Sequence, residues 1–173
     1  METKTVETKT AEMRIGHGFD VHQFVVGRPL ILAGIKIDHF KGLLGHSDAD
    51  VLLHAVIDSI LGALCWGDIG SWFPDTDEAY RNAKSTELFA WVWEKAIEAR
   101  WELVNCDITL VTEKPRMFPH IEKMRMSLGT LFSCEPDQVS IKATTMEKMG
   151  FVGREEGMSA TAVILLKREP EVV

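Results

Sequence analysis

The stretch Arg14-Ile15-Gly16-His17-Gly18-Phe19-Asp20-Val21-His22 sorts into two sets when the chain is extended. Ile15, His17, Phe19 and Val21 leave one side, and Gly16, Gly18, Asp20 and His22 leave the other. A period of two is the mark of a strand, because successive side chains of an extended backbone point to opposite faces. From Asp48 the period changes: Leu53, Val56, Ile57, Ile60, Leu61 and Leu64 form a stripe at helical spacing. Ser47 or Asp48 is positioned to cap that helix, and Gly67 follows its end.

Outward from this pair, Leu30 to Ile37 reads as a second strand region that Gly34 breaks into a hairpin or bulge. The polar segment from Gly70 to Lys84, with Pro74, Asp75 and Asp77, reads as a long functional loop. Ser85 then caps a second helix with Phe89, Val92, Trp93, Ala96 and Ile97 on its buried side. Cys106, Ile108 and Leu110 mark a strand leading into the loop Glu113-Lys114-Pro115-Arg116. Pro119 suits the first turn of a third helix striped by Ile121, Met124, Leu128 and Leu131. Val139, Ile141 and Ala143 alternate as a further strand, and Ala160 to Leu166 is an apolar closing strand. These elements predict an α+β fold, a single-domain two-layer sandwich with helices on one face of a mixed sheet. Residues 13–168 are expected to form that domain.

The 173 residues are 46% hydrophobic and 26% charged, which excludes disordered, collagen-like and coiled-coil classes. Nineteen Lys and Arg against 26 Asp and Glu leave a formal net charge of −7. Such a surface is a poor general ligand for nucleic acid or an anionic membrane, so phosphates must be handled at a local site. Cys65, Cys106 and Cys134 show no C-x-x-C spacing and read as reduced thiols, packed as small hydrophobes in a cytoplasmic protein. The longest apolar run, Val51 to Trp66, is interrupted by His54, Asp58 and Ser59, which excludes a membrane span there. Residues 1–12, with Glu-Thr-Lys-Thr repeated at 2–5 and 7–10, lack the features of a secretory or transit segment. They are expected to be a disordered tail, and residues 169–173 a C-terminal tail.

Several constellations carry chemistry. Asp20 and His22 leave one strand face together, and with His54 they make a three-ligand set of the kind that holds a catalytic zinc. Asp50, His54 and Asp58 share a helix face, which turns His54 toward the strand with carboxylates near its imidazole. Gly45-His46-Ser47-Asp48 enters a helix N-terminus, where backbone N–H groups favour anions. Lys142-Ala143-Thr144-Thr145-Met146-Glu147-Lys148 supplies hydroxyl donors for phosphate and a hard carboxylate ligand for Mg²⁺ or Mn²⁺. Gly150-Phe151-Val152-Gly153-Arg154 sets a cation in a flexible loop. Asp68-Ile69-Gly70 and Phe73-Pro74-Asp75-Thr76-Asp77 form turns able to bond hydroxyls. Each pattern alone is common in chains without a ligand.

Their joint order, together with Gly42 to Gly45, Pro115-Arg116-Met117 and Pro119-His120, resembles the 2-C-methyl-D-erythritol 2,4-cyclodiphosphate synthase family from about Arg14 to Lys167. The resemblance implies a lyase of the non-mevalonate isoprenoid pathway. It would convert 4-diphosphocytidyl-2-C-methyl-D-erythritol 2-phosphate to the cyclic diphosphate and CMP. It also implies a homotrimer, with sheets packed about a threefold axis and active sites at subunit interfaces. Zinc would be held by Asp20, His22 and His54, and a second ion, Mg²⁺ or Mn²⁺, by Glu147. His46 and Thr145 would be catalytic donors to the reacting phosphates. Erythritol and phosphate contacts fall on Asp20, Val21, His22, His46, Ser47, Asp68, Ile69, Gly70, Phe73, Pro74, Asp75, Thr76 and Asp77. The cytidine pocket falls on Thr112, Glu113, Lys114, Pro115, Arg116, Met117 and Phe118, with Thr144, Thr145, Met146 and Glu147. Phe151 and Arg154 would close the phosphate end near the axis.

This chain departs from the family pattern at three places. Ala49 stands where Gly is common, a change expected to cost little inside a helix start. Met146 replaces a third Thr, and Arg116 stands for Lys. The same ligand set would also serve a metal-dependent phosphoesterase using water, or a non-catalytic trimeric binding protein with structural zinc.

Overall fold

The computed structural model describes residues 10–170. Strand β1 (Glu12–Val26) is the spine of the molecule. A small hairpin follows, β2 (Leu30–Leu32) and β3 (Ile35–Ile37), turning at Ala33-Gly34 as the glycine foretold. Then come β4 (Lys41–Leu43), helix α1 (Val51–Leu64), the short helix α2 (Ile69–Trp72) and α3 (Ser85–Glu98). The second half runs β5 (Glu102–Val111), α4 (Ile121–Phe132), β6 (Val139–Thr144), the short helix α5 (Gly150–Gly153) and β7 (Gly157–Arg168).

The main sheet has the order β4-β1-β7-β5-β6. All its pairs are antiparallel except β5 with β6, so the sheet is mixed as expected. Helix α1 lies on β1 and β7, α4 packs against β6, and α3 bridges the two helices. Helices therefore cover one face. The opposite face exposes Ile15, Phe19 and Val21 of β1 and Val163 of β7, with Ile15 73% and Phe19 54% accessible.

The helix-facing side of β1 is unusual in having no bulk where α1 crosses it. A Cβ at Gly16 would stand 1.8 Å from the carbonyl oxygen of Ser59, and one at Gly18 would stand 1.9 Å from that of Ala55. Both contacts are with helix backbone, which cannot rotate aside. The helix itself is buried nearly all round, including Asp50, His54 and Ser59, so its fully apolar stripe is only part of its buried surface.

Several local expectations change. Asp50, and neither Ser47 nor Asp48, is the N-cap of α1; its Oδ1 accepts from the Leu53 N–H at 3.0 Å. Asp48 and Ser47 are recruited elsewhere, as described below. The C-cap is Cys65, in the left-handed region at φ 57°, so the helix stops two residues before Gly67. That position leaves Cys65 exposed, while Cys106 is buried and Cys134 half-buried, so only part of the thiol packing expectation holds. Ala49 has φ 59° and precedes the helix, which explains why Gly is favoured there. An alanine in that region costs about 1–2 kcal/mol, more than a helical position would. Ser85 is the first helical residue of α3 and makes no cap bond. Ile97 is 54% exposed, and Leu88 takes its place on the buried side. Residues 1–9 and 171–173 of the expected tails lie outside the described residues; Glu12, placed in the tail, is paired with Arg168 in the sheet.

Gly18→Ala is expected to destabilise the protein by about 3 kcal/mol or more, because the strand and the helix backbone must separate. Equilibrium urea unfolding checks this, and the spread strand should also lose the ligand geometry built on the next two positions of the same face.

Candidate active site

Continuing along the helix-facing side of β1 past Gly16 and Gly18, Asp20 and His22 meet His54 of α1. Asp20 Oδ2 lies 2.9 Å from His22 Nε2 and 3.0 Å from His54 Nδ1, and the two nitrogens are 3.1 Å apart. The opposite nitrogen of each ring is already engaged. His22 Nδ1 lies 2.8 Å from the Leu44 carbonyl oxygen, which can only accept, so Nε2 carries the lone pair. His54 Nε2 faces the hydroxyls of Ser47 at 3.2 Å and Ser85 at 3.0 Å. The expectation that carboxylates orient His54 is corrected: Asp50 accepts from the Gly34 and Leu53 N–H groups and Asp58 from Ile69 N–H.

Two imidazole lone pairs and a carboxylate oxygen therefore converge. A tetrahedral zinc with bonds of about 2.0–2.1 Å separates its ligand atoms by about 3.3 Å, close to the triangle seen here. The donor set fits a divalent cation. When protons occupy the ring nitrogens facing Asp20, the hydrogen bonds they make outweigh the burial that works against its charge and hold the carboxyl well below its usual range. Burial likewise opposes protonation of His22, and Asp20 overcomes it, raising the His22 pKa.

His22 and His54 open onto a cavity of about 470 Å³. Its wall includes His46, Ser47, Ile69, Gly70, Phe73, Pro74 and Asp75, which the sequence singled out. It also includes Gly45, from the same turn motif as His46, and Tyr80 and Leu88, which the sequence did not single out. Tyr80 sits edge-on to Phe73 with centroids 5.3 Å apart, a pairing hidden in a stretch read only as polar loop. Asp68 caps α2 through Ser71 N–H, and Asp77 caps the turn after it through Ala79 N–H. His46 Nε2 reaches the Asp77 carbonyl oxygen at 3.3 Å. Thr76 is exposed beside them. Val21 points to the sheet face away from His22, as strand alternation requires. Arg28, not singled out by sequence, clamps the turn by donating to the carbonyls of Gly45 at 2.9 Å and Ser47 at 2.5 Å.

A second cavity, of about 380 Å³, is lined by Thr112, Glu113, Pro115, Arg116, Met117 and Phe118 with Ala143, Thr144 and Thr145. Glu113 has a specific task there: its Oε1 accepts from Met146 N–H at 3.0 Å and Lys148 N–H at 3.1 Å. It thus ties the loop after β5 to the turn after β6. Lys114 pairs with Glu155 at 2.9 Å, a second tie to the turn after α5. Thr145 Oγ1 donates to Glu147 at 3.1 Å, and Glu147 is exposed, apart from the three-ligand cluster. Arg154 pairs with Glu156 at 2.8 Å, and neither it nor Phe151 lines either cavity. Both cavities sit toward the same end of the sheet, since Asp20 and Leu110 both pair with Ala160. They are two to three strand widths apart, roughly 10–15 Å, and do not merge in one chain.

The YgbB family model matches residues 13–167. A curated relative, the 2-C-methyl-D-erythritol 2,4-cyclodiphosphate synthase of Geobacillus sp. (strain WCH70), is 57% identical over 156 residues, covering 90% of this chain and 99% of its own. The bifunctional IspDF from Campylobacter jejuni superposes with TM-score 0.88 at 42% identity, over 92% of this chain and 43% of that longer one. A 2C-methyl-D-erythritol-2,4-cyclodiphosphate synthase in its CDP-bound form superposes with TM-score 0.80 at 35% identity, over 88% of this chain and 99% of that one.

Because Asp20 strengthens the hold of His22 on a proton, metal and proton compete at higher pH than for an ordinary imidazole of pKa 6.5. Zinc titrated into chelated protein is expected to release protons, and its apparent affinity to fall steadily from about pH 8 to about pH 6. A flat profile across that range, measured by chelator competition, would sink the assignment of His22 as a ligand.

Proposed function

The chain belongs to the YgbB family, and on that premise we propose that it converts 4-diphosphocytidyl-2-C-methyl-D-erythritol 2-phosphate to 2-C-methyl-D-erythritol 2,4-cyclodiphosphate and CMP. The observation that carries this reading is the convergence of Asp20, His22 and His54 at the wall of a cavity rimmed by phosphate donors.

An oxygen of the 2-phosphate attacks the β-phosphorus of the same molecule. The bond between that phosphorus and the oxygen bridging to the α-phosphorus breaks, and CMP leaves with the bridging oxygen. No water enters and no covalent enzyme intermediate is needed. The physical task is to bring two anionic groups together in line, which positioning and charge neutralisation accomplish. Asp20, His22 and His54 would hold zinc and Glu147 a magnesium or manganese ion, and the bound cations would supply Lewis-acid neutralisation of phosphate oxygens.

The protein's own groups do the rest. His46 and the N–H groups of the turn held by Arg28 donate at the metal-side cavity. Thr145 donates to Glu147 here, and its hydroxyl proton would turn to substrate phosphate at the other cavity once Glu147 takes the cation. The wall built from Ile69, Gly70, Phe73 and Tyr80 packs the branched sugar chain and excludes water. Residues Thr112 to Phe118 and Thr144 to Glu147 take the cytidine end. Glu113 acts there by locking the two loops together. Phe151 and Arg154 would close the phosphate end near the threefold axis, from the turn that leads into the central strand β7.

One substrate must touch both cavities, yet a single chain keeps them apart. The exposed sheet face of Ile15, Phe19, Val21 and Val163 supports the resolution: three copies pack these faces about an axis, and a metal-side cavity of one chain meets the nucleotide cavity of the next. Among the described residues no helix is long and apolar enough to cross a membrane. The free thiols favour the cytoplasm as its compartment.

Phosphorus NMR of the purified protein with the cytidyl-diphosphate substrate and Mg²⁺ should show the cyclic diphosphate appearing with CMP, and its loss on chelation. Open-chain phosphate products would instead identify a phosphoesterase, and absence of turnover with zinc in place a binding protein. Phe19→Asp should shift the sedimenting species from three chains toward one and abolish turnover while the isolated chain still binds zinc. Retention of the three-chain species would remove this face from the interface.

A further inference from the structure

Behind His54 lies a chain of buried and half-buried polar side chains with no counterpart behind His22. Ser85, fully buried at the start of α3, places its Oγ 3.0 Å from His54 Nε2 and 2.5 Å from Asp48 Oδ1. Its own N–H donates to Asp48 Oδ2 at 3.1 Å, so the carboxylate grips both the backbone and the hydroxyl of one residue. Asp48 is in turn fixed from the backbone side, its N–H donating to the Ala83 carbonyl at 3.0 Å.

The logic of the hydrogens follows from valence. A carboxylate only accepts, so the single hydroxyl proton of Ser85 is committed to Asp48. Ser85 Oγ then has only lone pairs for His54, and Nε2 must be the protonated nitrogen. That leaves the Nδ1 lone pair facing Asp20 and His22, the tautomer a metal needs. Ser47, the other hydroxyl in reach, cannot impose this choice. It accepts from Ala49 N–H at 3.1 Å but its own proton is uncommitted, so it adapts to either tautomer.

We propose that Ser85 and Asp48 are positioning residues that set the tautomer and ring angle of His54 for metal binding, with Asp48 acting through Ser85. The inference rests on the reading of Asp20, His22 and His54 as metal ligands. It places the far end of the metal site on α3, an element that supplies no ligand of its own.

Zinc affinity of the full chain, measured by competition with a chromophoric chelator, tests it. Ser85→Ala is expected to weaken zinc by about 10–100-fold, and Ser85→Thr, which keeps the hydroxyl, to remain within about threefold of the parent. Asp48→Asn should be at least as harmful as Ser85→Ala, because an amide N–H turns the Ser85 proton toward Nε2 and drives the His54 proton onto Nδ1. The Co²⁺-substituted Ser85→Ala protein should show an altered ligand-field absorption band. Thermal unfolding of the chelated proteins supplies the control for a merely structural role. Tight zinc binding by the parent with Ser85→Ala within about threefold of it would overturn the relay alone. So would a Ser85→Thr as weak as Ser85→Ala, with a matching loss of stability in the chelated state. Failure of the parent to bind zinc would overturn the metal reading and the relay with it.

Discussion

The contact between the glycine face of β1 and the backbone of α1 governs the molecule. Sheet and helix ordinarily stand apart by the thickness of two side-chain layers. At Gly16 and Gly18 one of those layers is missing, and the strand rests almost directly on the carbonyls of Ser59 and Ala55. Because side chains on one strand face recur every second residue, the two positions after these glycines carry Asp20 and His22 toward the same helix. The short ligand side chains therefore span the remaining gap to His54. Had bulk occupied Gly18, an ordinary strand-to-helix spacing would put the imidazoles beyond reach of one another. Packing and ligand geometry are here a single constraint, written into alternate residues of one strand.

That constraint was legible because both its halves are periodic. Period two along Ile15 to His22 and period 3.6 along Leu53 to Leu64 assign strand and helix, and the two histidines and the aspartate fall on facing sides without further information. The hairpin at Gly34 and the closing strand through Ala160 to Leu166 follow from equally local patterns. What failed was local chemistry settled by distant partners. Ser47 and Asp48 have the right residue types for an N-cap, but Asp48 is held by Ser85 and Ala83, and Ser47 faces His54, so the cap falls to Asp50. Arg28 was silent for the same reason: an arginine before a proline announces nothing about the carbonyls of Gly45 and Ser47 it grips. At Ala49 the left-handed backbone angle, and not the helix that follows, decides what a side chain costs. The carbonyl of Leu44 orients His22, and a backbone oxygen leaves no mark in a sequence at all.

An anionic protein that handles a triply phosphorylated nucleotide must confine its positive potential. The chain does so with few mobile cations: Lys114 and Arg154 are engaged with Glu155 and Glu156. Oriented backbone dipoles and fixed donors remain, and they cost no reorganisation when charge develops on the substrate. Glu113 shows how far this goes. The turn at Met146 to Lys148 presents N–H groups of the kind that bind anions, and the protein fills them with its own carboxylate to make a strut between two loops. The neighbouring Thr145 and Glu147 are thereby held at a defined place, as the proposed phosphate and cation contacts require.

The separation of the two cavities follows from the same architecture. The glycine contact places the ligand cluster beneath β1, whereas the loops lining the second cavity grow from the ends of β5 and β6 across the sheet. No rearrangement of side chains joins them, because β7 and its pairings lie between. The face that leaves Phe19 and Val163 in water is the reverse of the strand that carries Asp20 and His22 and of its neighbour β7. Association through that face would bury apolar surface and bring complementary half-sites together in one event. Alternate residues of β1 then do two separate jobs: one set builds the ligand cluster against α1, and the other presents the apolar surface through which copies of the chain would associate.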